Sequence, residues 1–228
     1  MAQKTQDTKR GIILMIAGII LFGVMDTMVK VLSQDYDVIQ IVWARFVFHI
    51  LIFLALFSRS GLRKIAATRR LGLQIARSFL LMTATLFFFT ALSYLPLADA
   101  VSIGFVSPLL VTALSIPFLG EKVGARRWAA IMVGFFGMLV IIRPGMGVMH
   151  WAAILPLGMA ACFAGYQILT RIAARSEDAR TSQMWSPALG VLVLSAIVPF
   201  FWTMPDIRGW AMMLAVGCAG GFGHYLLI

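Results

Sequence analysis

Apolar residues run along this chain in stretches of about twenty, each ended by a short polar or charged segment. A helix of that length crosses a hydrocarbon core ~30 Å thick. Eight spans are predicted, over residues 11–33, 38–58, 71–93, 97–119, 127–143, 150–171, 182–203 and 209–228. The loops between them are short, and no Ser/Gly-rich linker or soluble domain interrupts them. The expectation is an all-α polytopic membrane protein.

A finer pattern lies inside the spans. Phe22-Gly23-Val24-Met25-Asp26 runs on to Lys30, and Phe163-Ala164-Gly165-Tyr166-Gln167 runs on to Arg171. A similar step leads from Trp43 to Trp185, near the start of the following span in each case. Small residue, polar residue and terminal cation recur in register, which predicts a duplicated unit. The first repeat is expected over residues 11–145, holding five spans. Five is odd, so the second repeat, over 150–228, is expected upside down in the bilayer, as in the inverted repeats of secondary transporters. Three of its spans are present. The last residue, Ile228, matches a point near Phe88 or Phe89 of span three, so eight of ten spans are expected here and the chain is read as truncated at its C-terminal end.

Composition agrees with this reading: 61% of the 228 residues are hydrophobic and 12% are charged. A soluble domain would carry about a quarter charged residues. The net charge of +10 does not imply nucleic acid, because the cations sit in short loops on alternate sides. Fourteen lie on one side: Lys4, Lys9, Arg10; Arg59, Arg63, Lys64, Arg69, Arg70; Lys122, Arg126, Arg127; Arg171, Arg175 and Arg180. Only Lys30, Arg143 and Arg208 lie on the other, and Arg45 and Arg77 fall within spans. The positive-inside rule places the N-terminus in the cytoplasm of a multi-pass plasma-membrane protein. Cys162 and Cys218 fall inside spans and are read as small packing residues.

Polar residues within the spans are the candidates for chemistry, since intramembrane charge is costly and normally pairs or lines water. Asp26 and Lys30 share a helix face. Asp26 and Arg45 both lie about 13–15 Å along their helices from the turn near Asp35, at about 1.5 Å per residue, so an ion pair between them is expected. His49, one turn deeper than Arg45, is either a proton relay or a neutral packing residue. Arg77 is expected to snorkel to headgroups. In span four, Pro108 frees the carbonyl of Gly104. That carbonyl is open to a ligand or is satisfied by Ser107; Ser102 lies on the same span. Tyr166 and Gln167 stand where the first repeat has Met25 and Asp26, and an aromatic beside an amide suits a planar or zwitterionic ligand. Trp43 and Trp185 are read as interfacial belt residues. Glycines 217, 220, 221 and 223 are read as a packing face, not a nucleotide loop, because no strand precedes them and no Lys-Ser/Thr follows. Glu121 is expected in an interfacial ion pair or cap.

The ordered set of local signals resembles a known family. Residues 91–100 (ALSYLPLADA), Ser107-Pro108, Leu119-Gly120-Glu121, Gly134, Gly137 and Arg143-Pro144-Gly145 are similar to the EamA repeat of the drug/metabolite transporter superfamily. Trp43-Ala44-Arg45-Phe46 resembles its second span and Gly223-His224-Tyr225 its eighth. The resemblance implies a ten-span carrier of two inverted five-helix repeats. Spans one, three, four, six, eight and nine would surround a central cavity, and spans five and ten would stand apart and support a homodimer. The pathway candidates are Asp26, Arg45, His49, Ser102, Ser107, Tyr166, Gln167 and His224, with Lys30, Pro108 and Glu121 structural. No catalytic set, metal site or cofactor is expected. The partners expected are the lipid bilayer and a small-molecule metabolite, with no nucleic acid.

The function implied is secondary transport of a small organic metabolite by alternating access, in a bacterial inner membrane. The Asp26–Lys30 spacing, the Arg45-Phe46 pair and the span-three Arg77 resemble carriers of S-adenosylmethionine-like metabolites. Riboflavin and amino-acid carriers of the same superfamily, or a non-transporting membrane scaffold, are the alternatives. An intramembrane hydrolase is disfavoured: His49, His150 and His224 stand at different depths and show no nucleophile–base or metal spacing.

Overall fold

The structure, a computed structural model, describes residues 2–57, 61, 65–142 and 151–226. Arg59, Arg63, Lys64, Arg143 and His150, together with the Pro144-Gly145 part of the resemblance, lie outside the described residues, as do the side chains of Lys4, Lys9 and Arg10. The described backbone is helical: α1 Ala2–Leu32, α2 Val38–Phe57, α3 Leu71–Tyr94, α4 Leu97–Gly104, α5 Ser107–Leu119, α6 Ala125–Ile142, α7 Ile154–Ala173, α8 Ala179–Ile197 and α9 Ile207–Leu226. Among the described residues, six helical stretches are long and apolar enough to cross a membrane: 13–32, 38–57, 71–94, 97–119, 151–173 and 179–201. Helices also cover the two remaining predicted spans, as α6 and α9.

Span four is broken in the middle, into α4 and α5. Pro108 sits in the first turn of α5, where a missing N–H does no harm. The carbonyl of Gly104 receives the Ser107 hydroxyl at 2.7 Å instead, so the freed acceptor is satisfied locally. At its far end α5 stops at Gly120, whose φ of 68° is the left-handed conformation that closes a helix.

Packing brings distant parts of the chain together. α3 lies against α7 and α8, α9 against α1 and α2, and α2 touches α8. α4 and α5 cover α7. The core between them is apolar: Phe46, Phe89, Leu32, Ile41, Leu92, Leu194 and Met213 are fully buried. α6 stands apart. It touches α4 and α5 and leaves Val133, Phe136 and Val140 exposed.

Polar contacts tie the loops into two groups. In one, Tyr36 donates to Asp206 at 3.0 Å, and Gln40 both donates to and accepts from the backbone of Thr203, at 2.8 and 2.9 Å. The Gly209 N–H and the Tyr36 hydroxyl hold the Asp206 carboxyl below the usual carboxylate range. In the other, Glu177 accepts from the backbone N–H of Arg69 at 3.0 Å, and Glu121 pairs with Arg171 at 3.1 Å and Arg127 at 3.6 Å. The second group gathers the cation-rich loops.

Candidate functional site

Charged and polar side chains converge where α2, α3, α7, α8 and α9 meet. Arg45, on α2, is 4% exposed and donates to the Thr85 hydroxyl on α3 at 2.8 Å. Its other terminal nitrogen lies 3.5 Å from His224 Nε2 on α9. The His49 ring stacks on His224 with centroids 6.1 Å apart and planes 15° off parallel. Phe22, on α1, meets His224 edge-on at 5.3 Å, and Tyr166, on α7, meets it at 6.5 Å. The Arg45 guanidinium also faces the Phe46 and Phe89 rings at 5.2 and 5.6 Å. Such contacts suit a guanidinium in a dry setting.

Arg77 overturns an expectation. Rather than snorkelling, it is 1% exposed and turned into the bundle. It donates to the Ser182 carbonyl at 2.6 Å and the Ser186 hydroxyl at 2.5 Å, both on α8, and lies over the Tyr166 ring at 5.2 Å. One turn before Arg77, Gln74 donates to Ser182 at 3.4 Å. The physical reason is partner supply: α8 offers a carbonyl and two hydroxyls at this depth, which removes the need to reach headgroups.

The Asp26–Arg45 ion pair is not closed. Ion pairs within 4.0 Å among the described residues involve Glu121 alone, with Arg127 and Arg171. Asp26 stays within coulombic reach of Arg45, but its Oδ1 is buried without a hydrogen-bond partner. Arg45 Nε, Arg77 Nε, Gln74 Oε1 and Gln183 Nε2 are buried and unpartnered in the same way. Lys30 does not reach outward: it donates to the carbonyls of Leu92 and Leu95 at 2.6 and 3.0 Å, at the C-terminal end of α3, where a cation also meets the negative end of the helix dipole.

The other sequence-derived candidates divide. His49, Tyr166 and His224 join Arg45 in the cluster. Ser107 is occupied by Gly104, and Ser102 is buried within α4. Gln167 is half-buried beside Tyr166 and makes no hydrogen bond to a described residue. Thr85, Gln74, Ser182, Ser186 and Gln183 were missed. A signal for them existed: Gln74 and Ser78, and Ser182 and Ser186, are i, i+4 pairs that put polar groups on one helix face.

Space beside the cluster is tight. A cavity of about 20 Å³ lies against His49, Phe53, Gln183 and Gly221. That is room for about one water.

The chain matches the EamA-like transporter family over residues 9–143. It is 24% identical over 219 residues to a riboflavin transporter of Vibrio cholerae, covering 91% of this chain and 71% of that protein. A pseudopaline exporter of Pseudomonas aeruginosa is 27% identical over 226 residues, covering 96% of this chain and 77% of the relative. An S-adenosylmethionine uptake transporter of Rickettsia prowazekii is 21% identical over 221 residues, covering 96% of this chain and 74% of the relative. One solved crystal structure superposes with a TM-score of 0.72 at 17% identity, covering 95% of this chain and 77% of that one, which shows a shared fold.

Proposed function

This chain belongs to the EamA-like transporter family, and from that premise we propose that it moves a small organic metabolite across a bacterial inner membrane by alternating access. The carrying observation is the buried cluster of Arg45, Arg77, His49, His224 and Tyr166. Charged groups are costly inside a bilayer, and here they are neither paired with carboxylates nor turned to the surface. The cavity, too small for a metabolite, supports a mechanism in which helices part to admit one and close behind it.

Two inverted repeats, 11–145 and 150–228, are part of this proposal. The packing supports them. If α1, α2 and α3 correspond to α7, α8 and α9, then the α1–α9 contact exchanges with α7–α3. The α2–α9 contact exchanges with α8–α3, and α2–α8 maps onto itself. That exchange is what a two-fold axis between the repeats produces, and the cluster lies among helices of both.

Substrate and direction do not transfer from the relatives, since their names include both uptake and export and three different compounds. An S-adenosylmethionine-like metabolite is the first candidate, riboflavin and amino acids the next. Purified protein in proteoliposomes, tested for counterflow of labelled S-adenosylmethionine, riboflavin and mixed amino acids, should show saturable flux for one of them. Arg45→Gln should cut that flux by about tenfold or more, because a charged hydrogen-bond donor is lost. Flux no greater than in empty liposomes for every compound would favour the scaffold reading.

A further inference from the structure

A larger polar space lies away from the buried cluster, between the loop that leads into α3 and the loop that joins α7 to α8. It is a cavity of about 320 Å³, against about 20 Å³ beside His49. Arg69 and Arg180 line it together with Glu177 and Asp178. Two positive and two negative side chains thus share one cavity, yet they close no ion pair within 4.0 Å; among the described residues the carboxylate of such pairs is Glu121 alone. Backbone holds the two cavity carboxylates instead. Glu177 accepts from the Arg69 N–H at 3.0 Å, and Asp178 accepts from the Arg180 N–H at 2.7 Å as the cap of α8. Each of these bonds uses one carboxylate oxygen and neither guanidinium. The Arg180 guanidinium lies 5.5 Å over the Phe57 ring, at the end of α2. Ile65 and Ala67 give the cavity an apolar wall, and Leu56 and Leu71, on the adjoining helix ends, are exposed. The cavity therefore sits where spans pass from hydrocarbon into headgroups, among the cation-rich loops.

We propose that this cavity binds a phosphoethanolamine group, carried by a phospholipid of the leaflet on the cation-rich side or by a soluble phosphate ester. Arg69 and Arg180 hold the phosphate through charge-assisted hydrogen bonds. The second oxygens of Glu177 and Asp178 take the ammonium. A headgroup with phosphate alone would set its charge against both carboxylates. A choline headgroup balances the charges but has no N–H to donate to them. Phosphoethanolamine answers both demands. It would bridge the loop before α3 and the loop before α8, which Glu177 and Arg69 already join. The site is separate from the carrier cluster and does not depend on what that cluster binds.

The test uses the purified full chain, stripped of lipid in a neutral detergent. Phosphatidylethanolamine, phosphatidylcholine and phosphatidylglycerol with the same acyl chains are added one at a time. Binding is read by thermal stabilisation and by native mass spectrometry. Phosphatidylethanolamine should bind about tenfold more tightly than either of the others. In Glu177→Gln/Asp178→Asn it should lose that advantage. Asn still caps α8 and Gln still accepts from the Arg69 N–H, so the loops keep their shape. In Arg69→Gln/Arg180→Gln the three lipids should bind alike, and more weakly than phosphatidylethanolamine binds the wild-type chain. If a double variant fails to fold, the single substitutions carry the same comparison. Wild-type binding of the choline or glycerol lipid as tight as that of phosphatidylethanolamine would overturn the proposal. So would a preference for phosphatidylethanolamine that survives in both variants, because the headgroup would then sit elsewhere. Soluble phosphoethanolamine, added as competitor, separates the two sources. Displacement of the lipid at a matching concentration assigns the site to a soluble ester; weaker or absent displacement assigns it to the lipid.

Discussion

Arg77 shows how a residue's surroundings decide its role. A guanidinium in a membrane helix either reaches water or finds acceptors inside, and here the Ser182 carbonyl, the Ser186 hydroxyl and the Tyr166 ring supply them. Arg77→Leu should therefore destabilise the protein, since it removes both of these bonds from a buried site, although the Ser186 hydroxyl still donates to the Ser182 carbonyl at 2.8 Å; Ser186→Ala should cost less, roughly 1 kcal/mol, with the Ser182 carbonyl still in place. Thermal unfolding of both variants in detergent checks the order. Equal stability of wild type and Arg77→Leu would mean that the buried network contributes nothing. The existence of an intramembrane arginine was legible in the sequence. Its direction was not, because the Ser182 and Ser186 acceptors are more than a hundred positions away along the chain.

Among the helices, α9 and α6 make a contrast that one substitution type exposes. A Cβ on Gly220 would stand 3.1 Å from Arg45 Nε, and one on Gly221 would stand 3.2 Å from His49 Cδ2. The glycine face of α9 thus lets α2 bring its guanidinium and imidazole close. Gly134, on α6, meets nothing within 4 Å. Gly221→Ala is expected to lower stability by about 1–3 kcal/mol through overpacking. Gly134→Ala is expected to be neutral or to stabilise by up to about 1 kcal/mol by helix propensity. Melting temperatures of the two variants test this, and a loss at Gly134 as large as that at Gly221 would contradict it. The sequence did mark the glycines as a packing face. It did not say that the face meets the charged side of α2.

For the whole molecule, the loop contacts sort the cations. Arg69 is joined to Glu177, and Arg171 to Glu121, while Tyr36 is joined to Asp206. With the cation-rich loops in one group and the α1–α2 turn in the other, the positive-inside rule predicts that the turn faces outward. Gln34→Cys should react with an impermeant thiol reagent in intact cells, and Arg175→Cys should not; both positions are exposed. Cys162 and Cys218, partly buried in spans, are replaced first to remove background. The reverse labelling pattern would invert the orientation.

The hydrophobic pattern by itself determined that the chain is helical and where the helices run, because a bilayer forbids unsatisfied backbone and sets the length of each apolar run. The local effect of Ser107 and Pro108 at the α4–α5 break was also within reach of sequence, since both act on carbonyls a turn or less away. Tertiary structure decided the site. It left the expected Asp26–Arg45 pair open and moved Lys30 onto α3. It also turned Arg77 inward and assembled Arg45, His49, His224 and Tyr166 from three helices. Those outcomes depend on which helix faces which, and charge and hydrophobicity along one helix carry no information about the acceptor on another.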